Sequence, residues 1–211
     1  MTTPNPATSP ASVLTVMAHP DDAELWAGGT LARLAQVGAS VTIAVPEHAD
    51  AIRNTEAATA ADELGARYHS YPAVNANALH DLLDATRPEV VITHPLDDVH
   101  PDHRHVAHTL TAALPEVVIA TGRPRRVYTS DTYNGLTSHS PIAAHSVIDV
   151  TETWETKMRA LAAHASQPIT EHFGPMAETL GRLWGSRIGT RYGENFVPLP
   201  VLGRVPAATT L

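Results

Sequence analysis

The chain has 211 residues, of which 43% are apolar and 17% charged, and its formal net charge is −8 at pH 7. This composition suits one globular domain, and the sequence contains no run of about 18 apolar residues that would span a bilayer. Because the 14 basic residues include a single lysine and form no basic stripe, nucleic acid is excluded as a partner.

Cysteine is absent, which rules out disulfides, thiolate zinc sites and a cysteine nucleophile. Any metal site must therefore use nitrogen and oxygen ligands, and the absence of cysteine fits a cytoplasmic location. Residues 1–12 contain three prolines and no charged side chain, so we expect a disordered tail rather than a signal peptide or an anchor.

Apolar, β-branched runs alternate along the chain with alanine-rich segments of helical periodicity. Strands are predicted at 13–18, 40–45, 67–71, 89–94, 125–130 and 145–150. Helices are predicted at 26–38, 52–65, 77–87, 103–115, 153–164 and 176–189. This alternation predicts a single α/β domain over residues 13–198, Rossmann-like, with a mostly parallel sheet covered by helices on both faces and a tail at 199–211.

Acidic residues and histidines cluster where predicted strands end. "HPDD" (19–22) follows the first strand, while His94 closes the fourth and "DDVHPDH" (97–103) comes directly after it. Ligands bind beyond the carboxyl ends of parallel strands, so we expect these clusters to meet in one crevice. Taken alone, the aspartates of "HPDD" would be helix caps and the histidines surface residues, but the joint pattern favours a metal site with an open, catalytic position.

Two motifs, "AHPDDAELWAGGTLARL" and "HPDHRHVA", resemble those of the LmbE-like/PIG-L family of zinc-dependent N-deacetylases. "RNTEAATAADELGA", "KMRALAAHASQ" and "RYGENF" are similar to further family elements, so the resemblance covers roughly residues 13–198. It implies a Zn²⁺ cofactor, although Fe²⁺ or Co²⁺ suits the same ligands.

The resemblance assigns roles to individual residues. It implies that His19, Asp22 and His103 are the zinc ligands, that Asp21 is the general base, and that His100 stabilises the developing oxyanion. Zinc lowers the pKa of bound water to about 7, so such a base accepts a proton from a water molecule that is already acidic.

Two further residues have both a functional and a structural interpretation. Arg53 matches the family's substrate-binding arginine, and the alternative is a surface salt bridge with Glu56. Asp102 is placed to orient a metal-binding histidine, and the alternative is a cap for the following helix. Trp26 departs from the family's commonest pattern, and we expect it to fill the core rather than line the pocket.

The predicted function is removal of an N-acyl group from a small molecule that contains an amino sugar, and acetyl is the acyl group that we expect. One alternative is an amidase acting on a thiol-sugar conjugate, and another is a metal-binding module without catalysis. The resemblance also suggests a homo-oligomer. The polar loop at 133–145 has no motif and is where we expect substrate specificity to be determined.

Overall fold

The computed structural model describes residues 9–205; residues 1–8 and 206–211, which belong to the two predicted tails, lie outside the described residues. The strands are β1 (Ser12–Val16), β2 (Ser40–Pro46), β3 (Arg67–Tyr71), β4 (Val90–Thr93), β5 (Arg126–Thr129), β6 (Ser146–Asp149) and β7 (Gly193–Pro198). The helices are α1 (Asp22–Gln36), α2 (Ala51–Glu63), α3 (Ala76–Thr86), α4 (Pro101–Thr121), α5 (Trp154–Ala162) and α6 (Gly174–Ile188).

The strands form a seven-stranded sheet in the order β3-β2-β1-β4-β5-β7-β6. The first five strands in that order are parallel, while β7 pairs antiparallel with both β5 and β6. The chain moves outward from β1 to β3 and returns to β4 on the other side of β1. This reversal opens a crevice between the carboxyl ends of β1 and β4, which is where α/β sheets of this type bind ligands. The predicted fold class is confirmed.

Buried side chains fill both faces of the sheet. Leu31 of α1, Ala60 of α2 and Ala160 of α5 belong to one core cluster. Leu83 of α3 and Leu110 of α4 belong to a second. Each fully buried leucine stabilises the fold by about 1.5–3 kcal/mol, so helices on both sides hold the sheet that carries the crevice.

Two elements differ from the sequence prediction. Helix α4 was expected to end at 115, but it continues past Pro115 to Thr121, and Leu114 and Val117 on either side of the proline are both buried. Proline removes one intrahelical hydrogen bond, and the buried apolar face that continues beyond it offsets this cost. Strand β7 was not predicted, because its Glu194 and Asn195 are polar residues whose partners lie far away in sequence.

A buried ion pair ties α1 to the last third of the chain. Lys157 Nζ lies 2.6 Å from a Glu194 carboxylate oxygen and donates to the Leu25 carbonyl at 2.8 Å. The Glu194 carboxylate in turn accepts the N–H groups of Gly29 and Thr30. These contacts fix the position of α1, the helix that begins at the "HPDD" motif.

No helix within residues 9–205 is both long enough and apolar enough to cross a membrane.

Candidate metal centre and active site

The "HPDD" motif forms the turn between β1 and α1. Asp21 is the N-cap residue by position and has left-handed backbone angles (φ 105°), yet its side chain caps no helix N–H. Asp22 instead accepts the backbone N–H of His19 at 2.8 Å and the indole N–H of Trp26 at 3.3 Å. Neither carboxylate therefore acts as the helix cap that an isolated "PDD" would suggest.

Asp22 is the centre of a buried histidine cluster. Its carboxylate oxygens lie 3.2 Å from His19 Nδ1 and 3.3 Å from His103 Nε2. Ligand atoms about 2.0–2.1 Å from a tetrahedral zinc ion are about 3.3 Å from one another. Each of the two separations has that length, and they involve different oxygens of Asp22. Within residues 9–205, two groups of three residues have ligand atoms that all lie within 4.8 Å of one another: His19, His100 and His103, and Asp22, His94 and His103. The predicted ligands His19, Asp22 and His103 are divided between these two groups, which share His103.

His94 Nε2 also lies 3.4 Å from Asp22, but its chemistry differs. That nitrogen accepts the backbone N–H of Ala18 at 3.0 Å, so its single lone pair is occupied. Burial lowers the pKa of His94, which keeps the ring neutral. His94 stacks on His103 with ring centres 3.8 Å apart, and it is better suited to support the metal site than to bind the ion.

The electrostatics of the cluster favour a cation. His103 is completely buried, and neither of its ring nitrogens makes an aligned hydrogen bond within the described residues. Burial lowers its pKa, but the carboxylates of Asp22 and Asp98 outweigh this effect and raise the pKa to about 9. The position between these carboxylates therefore attracts positive charge, and a divalent ion there would replace a proton.

Asp98 contacts the other side of the His103 ring. Its carboxylate lies 3.2 Å from His103 Nδ1 and also accepts the His100 N–H at 2.8 Å. A carboxylate on the second nitrogen of a metal-binding histidine fixes the tautomer and orientation of the ring. No role was predicted for Asp98, although it falls within the "DDVHPDH" run; only the fold shows which aspartate reaches the ring.

Asp102 was expected to orient a metal-binding histidine through the second nitrogen of its ring. Its carboxylate, 65% exposed, lies 3.2 Å from Nε2 of His19, whose Nδ1 lies beside Asp22. The cap of α4 is His100, whose Nδ1 accepts the Asp102 N–H at 3.2 Å. That bond leaves the proton of the neutral imidazole on Nε2, and burial lowers the pKa of His100, so His100 presents a neutral donor to the crevice.

Asp21 is buried beside the cluster and is contacted by Arg53. The Arg53 guanidinium donates to an Asp21 carboxylate oxygen at 3.3 Å and to the Pro20 carbonyl at 2.8 Å. Burial and the neighbouring Asp22 charge raise the pKa of Asp21 to about 7, against the opposing effect of Arg53. A carboxyl group poised near neutrality suits proton transfer at physiological pH.

Arg53 does not form the surface salt bridge that its sequence context allowed. Glu56 instead accepts the backbone N–H and hydroxyl of Ser166, from the "HASQ" segment. In the same segment His164 is fully buried, with Nε2 3.4 Å from a Glu24 carboxylate oxygen. The "RNTE" and "HASQ" segments thus meet beside the turn that carries Asp21.

Trp26 is 2% exposed, as expected for a core residue. Its indole N–H nevertheless donates to Asp22, and its ring meets Tyr133 edge to face, with ring centres 5.3 Å apart. The tryptophan is therefore a core residue that also contacts Asp22, one of the predicted metal ligands.

Comparisons with known proteins find deacetylases among the relatives of this chain. Residues 14–114 match the PIG-L family, described as GlcNAc-PI de-N-acetylase, and the resemblance noted in the sequence is confirmed. Diacetylchitobiose deacetylase of Thermococcus kodakarensis is 27% identical over 88% of this chain and 83% of its own length. The 1D-myo-inositol 2-acetamido-2-deoxy-alpha-D-glucopyranoside deacetylase of Nakamurella multipartita is 29% identical over 75% of this chain and 80% of its own length.

Two solved structures share the fold. The conserved protein TT1542 from Thermus thermophilus superposes with a TM-score of 0.77 and 26% identity over 94% of this chain and 99% of that one. GalB, the 4-carboxy-2-hydroxymuconate hydratase of Pseudomonas putida KT2440, superposes with a TM-score of 0.75. It is 20% identical, and the match covers 91% of this chain and 98% of that one. Because one neighbour is a hydratase, the fold alone does not determine the reaction.

Proposed function

We propose that this protein is a zinc-dependent N-deacetylase that removes an acyl group, most often acetyl, from an amino-sugar-containing small molecule. The observation that carries the proposal is the Asp22 carboxylate, which lies 3.2 Å from His19 Nδ1 and 3.3 Å from His103 Nε2, with the buried Asp21 carboxylate next to it. The deacetylase relatives favour this reaction over others that the fold supports.

His19, Asp22 and His103 would hold the ion, and Asp98 would orient the His103 ring. A bound zinc ion supplies polarisation of the acyl oxygen and lowers the pKa of bound water to about 7. Fe²⁺ or Co²⁺ would suit the same nitrogen and oxygen ligands. Amide hydrolysis then requires the chain itself to move one proton and to stabilise one developing negative charge.

Asp21 moves the proton. Its carboxylate accepts a proton from the attacking water and returns it to the nitrogen of the departing amine, because the C–N bond breaks only when that nitrogen is protonated. Arg53 holds the carboxylate through its 3.3 Å contact and keeps further guanidinium donors for a substrate oxygen. His100, protonated on Nε2, donates a hydrogen bond to the acyl oxygen as negative charge develops there.

The remaining parts of the proposal are a single catalytic domain over residues 13–198, a cytoplasmic location, a small-molecule substrate and a homo-oligomeric state. The absence of cysteine and the family resemblance support them. An amidase that acts on a thiol-sugar conjugate would use the same residues and differ only in the pocket.

The test is release of free amine by the zinc-loaded protein from N-acetylglucosamine, diacetylchitobiose, N-acetylglucosaminyl-inositol and N-acetyl amino acids. Hydrolysis of an N-acetylated sugar supports the proposal. A preference for N-acetyl amino acids, or no amine release from any of these compounds, would contradict it.

A further inference from the structure

Tyr133 lies where the carboxyl end of β5 opens into the crevice, in a short 3-10 turn at Tyr133–Gly135. The residues before it are anchored in the interior. The buried Asp131 carboxylate accepts the indole N–H of Trp184 and the backbone N–H of Thr132. The Gly135 N–H returns to the Thr132 carbonyl at 2.9 Å and closes the turn. The backbone therefore holds Tyr133 in a defined place.

Aromatic contacts fix the ring of Tyr133 against the metal cluster. It lies nearly parallel to His103, at 14° with ring centres 5.7 Å apart. The plane of the Tyr133 ring makes an angle of 82° with that of Trp26, and their ring centres are 5.3 Å apart. The ring centre of Phe173 lies 6.5 Å away. Since Trp26 also donates to Asp22, the tyrosine ring is positioned by a residue that touches the metal cluster.

The Tyr133 hydroxyl has no hydrogen-bond partner within residues 9–205. The side chain is only partly buried. Burial, and to a smaller extent the carboxylates of Asp22, Asp21 and Asp98, raises the pKa of Tyr133, so the phenol keeps its proton. A phenol whose ring packs on His103 and Trp26, and whose hydroxyl has no protein acceptor, is suited to donate to a ligand oxygen.

We propose that Tyr133 contacts the substrate, with its hydroxyl donating a hydrogen bond to an oxygen of the bound N-acyl compound. This inference rests on the proposed function and extends it, because it adds a substrate-binding residue from the carboxyl end of β5. It also gives the 133–145 loop a specific part in substrate recognition.

The experiment compares Tyr133→Phe with Tyr128→Phe in the zinc-loaded protein. Tyr128 belongs to β5 itself and packs against the core cluster of α1, α2 and α5, so it is a matched loss of a hydroxyl outside the crevice. Kinetics use the N-acetyl sugar hydrolysed fastest by the wild type. Calorimetric titration with acetate and with glucosamine, the two product fragments, provides a second readout that does not require turnover.

For Tyr133→Phe we expect a loss of about 5–10-fold in kcat/KM, as for one hydrogen bond between neutral groups, with zinc content and melting temperature unchanged. At least one product fragment should also bind more weakly. Tyr128→Phe should match the wild type in both assays.

A Tyr133→Phe variant within about twofold of wild type in both kcat/KM and fragment binding would overturn the inference while leaving the proposed function intact. If the wild type binds a fragment but hydrolyses no N-acetyl sugar, the proposed function fails, and weaker binding by Tyr133→Phe still supports the contact. If the wild type neither binds nor hydrolyses, both proposals are wrong.

Discussion

Replacing Lys157 by Met should strongly destabilise the fold, because the change leaves a buried carboxylate without its cation. Both partners of the Lys157–Glu194 pair are 3% exposed, and their charged atoms are 2.6 Å apart. Breaking a buried pair by removing one partner typically costs about 3–5 kcal/mol. We expect the lower end of this range, because Glu194 keeps the N–H groups of Gly29 and Thr30 and methionine preserves most of the side-chain volume.

A loss of about 3 kcal/mol corresponds to a fall of about 6–12 °C in Tm for a chain of this size. The assay is urea unfolding followed by tryptophan fluorescence, in which the midpoint should fall and the slope should stay unchanged. Arg159→Met is the matched control, since Arg159 lies on the same helix and its pair with Glu63 is largely exposed, at 59% and 37%. Exposed pairs contribute about 0–1 kcal/mol. The reasoning is refuted if the two variants lose equal stability.

Three other changes test the site and its support. Asp98→Asn should weaken zinc binding about 10–100-fold in a chelator competition, because it removes the carboxylate from His103 Nδ1, and unchanged affinity would rule out the orienting role. His100→Ala should lower kcat about 100–1,000-fold while zinc content stays at the wild-type level; a full-rate variant would remove His100 from the mechanism. Gly29→Ala places a methyl group 2.7 Å from Val150 Cβ, so the free energy of unfolding, measured in urea, should fall by about 1–3 kcal/mol. An unchanged free energy of unfolding would show that α1 can move to make room for the methyl group.

The parts of the fold that depend on local pattern could be predicted from the sequence. The six predicted strands and six helices all exist, because burial of one face imposes a period that is visible within each segment. Strand β7 could not be predicted this way, since Glu194 looks polar until Lys157 and the α1 backbone are found beside it. The end of α4 was missed because Pro115 is a local stop signal that the buried Val117 overrides.

The site shows the same division between local and long-range information. The residues of "HPDD" and "HPDH" were found because their chemistry is concentrated in short motifs at strand ends. Asp98 and Tyr133 were not assigned roles. Asp98 is one of several aspartates and Tyr133 lies in a loop without a motif, and only the structure shows that both contact the His103 ring. His94 was noted at its strand end, but its neutral, accepting state depends on the Ala18 N–H, which no sequence pattern reveals.

The most direct test of the account measures zinc content and amine release together in Asp21→Asn and His19→Ala. Asparagine tolerates the left-handed backbone at this position, so Asp21→Asn changes charge and basicity with little change of structure. We predict that Asp21→Asn binds zinc at the wild-type stoichiometry but releases no amine, whereas His19→Ala loses both zinc and activity. Full activity of zinc-free wild type, or an Asp21→Asn variant that hydrolyses its substrate at the wild-type rate, would contradict the account.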